Sequence, residues 1–115
     1  MKDGWIISLI IVLVFVLVQC KKEEKPVPAC IQQKIDSIKG RPQSSPPVEV
    51  HAWDFEGRRV YLFSAANPGD SVKVFDANCQ YVCAPSGGAT GMGDTLCRDF
   101  YLQAQHKQLV WKDNR

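Results

Sequence analysis

Four cysteines, Cys30, Cys79, Cys83 and Cys97, carry the clearest chemistry in this 115-residue chain. A fifth, Cys20, closes a long apolar run and stands apart from them. A structural zinc site is usually built from two close cysteine pairs, each with roughly two to four intervening residues. Cys79 and Cys83 form one such pair, but Cys30 and Cys97 are solitary, so no metal is expected. A redox dithiol would favour Cys-x-x-Cys, which is absent. An even set of four in a small exported domain reads instead as two disulfides. Three pairings are possible. Cys79–Cys83 is awkward if both residues lie on one strand, so Cys83–Cys97 with Cys30–Cys79 is preferred. The swap, Cys30–Cys83 with Cys79–Cys97, fits the spacing nearly as well.

Between Cys83 and Cys97 lies the most distinctive stretch, with Gly87, Gly88, Gly91 and Gly93 falling within seven residues. Glycine permits positive φ and close backbone approach. One reading is a binding loop formed by Ser86, Gly87, Gly88, Met92 and Asp94, with backbone amides and the Asp94 carboxylate meeting a ligand. The simpler reading is a glycine-dense loop clamped by a disulfide. No Gly-Lys-Ser/Thr comes after the glycines and no EF-hand spacing is present, so neither a nucleotide phosphate nor calcium is expected.

Catalysis has weaker support. The histidines are His51 and His106. Ser86, His106 and Asp94 could be written as a triad, but no nucleophile elbow accompanies them. The carboxylate pairs Asp54/Glu56 and Asp94/Asp99 could act as acid and base, yet such pairs arise by chance. No catalytic residue and no cofactor is assigned.

These residues need a scaffold. From Cys30 to Lys39, Ile31, Ile35 and Ile38 form one apolar stripe on a short amphipathic helix, which Gly40 and Pro42 are placed to end. Residues 41–47 are an extended proline-rich linker. The period then becomes two: Val48, Val50 and Ala52 alternate with Glu49, His51 and Trp53. Glu56-Gly57 is a tight turn, and the strand returns over 59–64. Further strands are predicted over 71–75 and 81–83, a helical turn from Asp99 through Ala104, and a last edge strand over Leu109–Trp111. Trp53 and Trp111 are expected to pack. The result is an α+β domain, with a short N-terminal helix on a small antiparallel β-meander stapled by two disulfides.

Composition sets limits. The apolar fraction of 45% is inflated by one run, Trp5 to Val18, interrupted only by Ser8. The chain beyond that run holds one domain, not a dinucleotide-binding pair or a barrel. A net charge of +2 is no electrostatic footprint for nucleic acid. The run itself would span about 21 Å as a helix, short of the ~30 Å hydrocarbon core, which favours a secretory signal over a membrane span.

Its end, Leu17-Val18-Gln19-Cys20, resembles the lipobox of bacterial lipoprotein signal peptides. That resemblance implies cleavage before Cys20, acylation of Cys20 and attachment to the lipid bilayer. Gln19 stands where the family favours a small residue. Lys22-Glu23-Glu24 is similar to the surface-export signal of some Gram-negative lipoproteins. The expected location is therefore the outer membrane, with the cell surface favoured over the periplasmic face. The chain divides into a signal peptide (1–19), a charged and proline-containing tether (20–29) and the domain (30–115).

The domain also resembles a family of small bacterial lipoproteins classed only as a domain of unknown function. The resemblance rests on Cys30-Ile31, Arg59 to Leu62, Val72 to Cys79, Cys83 to Gly88 with Gly91-x-Gly93-Asp94, Cys97-x-Asp99-Phe100, and the ending Leu109 to Arg115. It implies export, lipidation and a compact α+β domain, and it brings no catalytic residue. The expected function is a non-enzymatic envelope or surface binding module whose partner is an envelope protein or glycan. The alternatives are a small secreted hydrolase and a protease-inhibitor-like domain, the latter suggested by Pro85-Ser86 beside Cys83.

Overall fold

The computed structural model describes residues 27–115. The signal peptide, Cys20 and most of the tether lie outside the described residues. Helix α1 (Ala29–Lys39) is followed by strands β1 (Glu49–Phe55), β2 (Arg58–Phe63), β3 (Lys73–Asp76) and β4 (Tyr81–Cys83). A short helical turn, α2 (Phe100–Gln103), then leads into β5 (Gln105–Lys112). The five strands form one sheet in the order β4-β3-β2-β1-β5, antiparallel throughout. The fold is α+β.

The β1–β2 hairpin turns on Glu56 and Gly57, both at positive φ, with Phe55 paired to Arg58. That two-residue turn twists in the same sense as its strands, which glycine at its second position permits. The next turn is fixed by Asp76, whose carboxylate accepts from the amides of Asn78 and Gln80.

Alternation along the strands makes two apolar faces. Val50, Ala52, Tyr61 and Phe63 meet Ile31 and Ile35 of α1. Both isoleucines are fully buried, each contributing about 1.5–3 kcal/mol. On the other face Phe55, Val60, Leu62, Val74 and Cys83 lie beneath Cys97, Phe100 and Ala104. The molecule is thus three layers: helix, sheet, and the segment running from Ala84 to Ala104. A disulfide staples each outer layer to the sheet. Cys30–Cys79 joins the first turn of α1 to the β3–β4 turn, and Cys83–Cys97 joins the end of β4 to the covering segment.

One local expectation is met and one is corrected. Gly40 comes after α1 with φ −75°, so it ends the helix without adopting the left-handed conformation for which glycine is favoured. The last carbonyls of the helix are met from far away in sequence: the Arg115 guanidinium donates to Lys39 O at 2.7 Å and to Ile38 O at 3.4 Å. The final strand is also longer than the predicted 109–111. Its first half, Gln105-His106-Lys107-Gln108, is exposed and has no apolar alternation, because β5 is an edge strand. Register shifts against β1 and the lysines Lys107 and Lys112 keep this edge from pairing with another sheet.

Arg115 also makes two 2.8 Å contacts with the carboxylate of Asp113, a residue that is 1% exposed. The Asp113 amide bonds Val48 O, so the end of the chain closes against both the sheet and α1. Hydrogen bonding from the Arg115 side chain, against an opposing desolvation, lowers the Asp113 pKa. A lowered folded-state pKa contributes stability that is present above the unfolded value of about 3.9 and is lost as pH falls through the folded one. Urea midpoints of the wild type are therefore expected to fall below roughly pH 4 more steeply than those of Asp113→Asn. Parallel acid limbs for the two proteins would show that the clamp makes no contribution there.

Candidate functional site

The segment from Cys83 to Cys97 folds back on itself and is stitched to the β2–β3 connection. The Val72 amide donates to Ser86 O, and the Gly88 amide to Asp70 O. Inside the loop the amides of Gly87, Gly91 and Gly93 donate to Gly91 O, Gly88 O and Gly87 O, and Asp94 N donates to Ala84 O. Gly87, Gly88, Gly91 and Gly93 all have positive φ. At Gly87 and Gly93 there is also no room: a Cβ on Gly87 would lie 2.7 Å from Asp70 O, and one on Gly93 would lie 1.8 Å from Ala84 O.

This geometry changes the reading of the loop. The amides of the four glycines are spent on the loop's own carbonyls and on residue 70, so these glycines do not cradle an anion. Asp94 is likewise engaged, accepting from the Tyr81 hydroxyl and from the Leu96 amide. Desolvation pushes its pKa up, but the Tyr81 hydroxyl and nearby backbone amides outweigh it, and the net direction is down. Tyr81 moves the other way, to about 12, through desolvation and then through the adjacent carboxylate. Ser86 Oγ and Tyr101 OH lie 2.9 Å apart, joining the loop to α2. Ala84 is buried, as is Pro85, so the stretch beside Cys83 is not offered as a protruding strand.

The loop and the turn after it instead present side chains. Met92 is 57% exposed, Leu96 70% and Leu102 86%, with Tyr101 half exposed. Met92 was marked by the sequence, whereas Leu96 and Leu102 were missed. The signal for Leu102 is present: Phe100, buried in α2, and Ala104, buried just after it, lie on either side of Leu102 in sequence, which turns Leu102 to the opposite side.

The triad written from Ser86, His106 and Asp94 is not assembled: Ser86 meets Tyr101, Asp94 meets Tyr81, and His106 turns to a different carboxylate. His106 Nδ1 bonds Asp54 Oδ2 at 2.9 Å, not Asp94. Arg59 holds the other oxygen of Asp54 at 2.9 Å and also donates to His106 O and Gln108 Oε1. These contacts fasten β5 to the hairpin. The Arg59 hydrogen bond is the main cause holding the Asp54 pKa down. His51 has its pKa lowered by desolvation and by Lys107, with Glu49 opposing. Trp53 lies between Phe100, at 5.7 Å, and the Lys107 ammonium, at 5.6 Å from its ring, and its indole N–H is buried without an acceptor among the described residues. Trp111 packs against the helix-side core. Among the described residues no group of three or more His, Cys, Asp or Glu could hold a metal ion.

Comparison with known families places most of this structure. A family profile described as a domain of unknown function, DUF6970, matches residues 36–113, more than half of the chain. The chain belongs to the DUF6970 family. The match opens inside α1, beyond Cys30, and closes at Asp113. It includes the whole sheet, the Cys83–Cys97 loop and the buried aspartate of the C-terminal clamp, which make up the family's domain in this chain. No curated protein and no solved structure matches. Among the described residues no helix is long and apolar enough to cross a membrane.

Proposed function

We propose that this DUF6970 protein is a non-enzymatic interaction module, held at a bacterial outer membrane by an acylated Cys20 and facing the cell surface, where it binds an envelope protein. The observation that carries the reading is the character of the 83–97 loop: the amides of its four glycines are spent on backbone carbonyls, while Met92, Leu96 and the neighbouring Leu102 project into solvent. A glycan would be recognised through free polar donors and acceptors around an aromatic platform. Apolar side chains on a rigid, disulfide-closed frame suit a protein surface, because little conformational freedom is lost when they dock. The lipid anchor is supported by the sequence Leu17-Val18-Gln19-Cys20, and the surface-facing side by Lys22-Glu23-Glu24.

Photo-crosslinkers placed in the full chain in cells at 96 and at 102 are expected to capture the same protein. One at 112, on the β5 edge, should not capture it, and Met92→Asp should abolish both adducts. The same adducts from all three positions would count against the loop. Separately, Cys20→Ser should lose all palmitate label; retained label would defeat the anchor.

A further inference from the structure

On the helix side of the sheet a groove of about 440 Å³ opens between the C-terminal half of α1, the linker after it and the β2–β3 connection. Its volume falls in the range of small-molecule sites, about 300–1,000 Å³. Lys34, Arg41 and Lys73 line it, and none of the three takes part in an ion pair among the described residues. The one carboxylate in the lining, Asp70, is engaged by the Asn67 side-chain amide at 3.2 Å. Around the cations sit hydroxyls that still have a proton to give. Ser64 Oγ accepts from the Glu49 amide, which leaves its O–H free to donate, and Ser37 and Ser71 have no side-chain partner among the described residues. The floor is apolar, formed by Phe63, Phe75 and Ile38. The Lys34 ammonium stands 4.1 Å above the Phe75 ring, so its charge is held over that floor.

We infer that this groove binds a small organic phosphate, with the phosphate met by Lys34, Lys73 and the serine hydroxyls and an apolar ring or short chain laid on Phe63 and Ile38, beside the Phe75 ring that Lys34 covers. Ammonium groups and hydroxyls converge on a tetrahedral oxyanion from several directions. A planar carboxylate would be satisfied by the single Arg41 fork, whereas the further oxygens of a phosphate can also accept from the two ammonium groups and the hydroxyls. The site is distinct from the proposed protein-docking loop and does not depend on it. The connection 70–72 is the shared border, since Asp70 and Ser71 line the groove while their backbone meets Gly87 and Gly88.

The test is a titration of the full chain in zwitterionic nanodiscs, monitored by 1H–15N NMR, with phenyl phosphate and inorganic phosphate as probes. Saturable shifts at the amides of Ser37, Ser64 and Ser71 are expected. Phenyl phosphate should bind at least about tenfold more tightly than inorganic phosphate, because only it covers the apolar floor. Added salt should weaken both. Lys73→Gln removes an exposed charge outside the core and should weaken binding by about tenfold while the rest of the spectrum stays in place. Lys34→Glu/Lys73→Glu should abolish saturation. No saturable shift with either probe, or shifts unchanged by both variants, would overturn the site. Shifts that appear only when phosphatidylglycerol is added to the disc would overturn the soluble ligand in favour of a lipid headgroup.

Discussion

Gly93→Ala is expected to cost about 4 kcal/mol or more, placing it among the most damaging single changes available to a domain this small. The new Cβ would sit 1.8 Å from Ala84 O, 2.7 Å from the carbonyl carbon and 2.9 Å from Ser86 N. All three are backbone atoms, so no side chain can rotate away. The loop must move, and it then gives up the bonds from Gly93 N to Gly87 O and from Asp94 N to Ala84 O. The neighbouring Gly91→Ala provides the control. Gly91 has nearly the same φ, +74° against +69°, but nothing lies within 4 Å of its Cβ position. It should show only the left-handed penalty, about 1–2 kcal/mol. Chemical denaturation of the two variants measures the difference, which is the steric part alone. Equal losses at both positions would mean that the loop does not rest on Ala84.

The second large effect concerns the staples. Cys83–Cys97 spans 14 residues of sequence and Cys30–Cys79 spans 49. On the chain-entropy account these are worth about 3 and about 4 kcal/mol respectively. Small domains have total stabilities of about 5–15 kcal/mol, so full reduction is expected to leave the fold at or below the threshold of existence. The two bridges differ in what they hold. Removing Cys83–Cys97 frees the layer carrying Phe100 from the face of Phe55 and Val60. Removing Cys30–Cys79 leaves α1 held by Ile31, Ile35 and the Arg115 clamp. Thermal melts monitored by circular dichroism, with and without reductant, read the total. A reduced protein that melts at the temperature of the oxidised one would refute the estimate.

Much of this architecture is written locally. The isoleucine spacing of α1, the alternation of Val48, Val50 and Ala52 and the Glu56-Gly57 turn each depend on residues a few positions apart, and each is visible in the chain. The first half of β5 is not, because an edge strand with both rows of side chains in water has no period of two to display. The burial of Asp113 is invisible for a different reason. In sequence it belongs to the polar ending Lys112-Asp113-Asn114-Arg115, and only contacts reaching back to Val48 and Lys39 bring it inside. The 83–97 loop was legible as a special segment through its glycines. That their amides are spent internally could not be read, since the acceptors depend on how the loop closes. The basic groove joins residues 34, 41 and 73, which come together only when α1 crosses the sheet.

The placement of Cys30 has a mechanical side. For a domain held by its N-terminal end, as proposed, a pull on the tether enters at Val27 and reaches Cys30 within the first turn of α1. There the tension passes through the covalent bridge to Cys79 and into the turn between β3 and β4. The rest of α1, with its seat on the sheet, lies outside that path. Drag on the tether therefore cannot peel the helix away turn by turn, and the force needed to open the domain is set by the sheet.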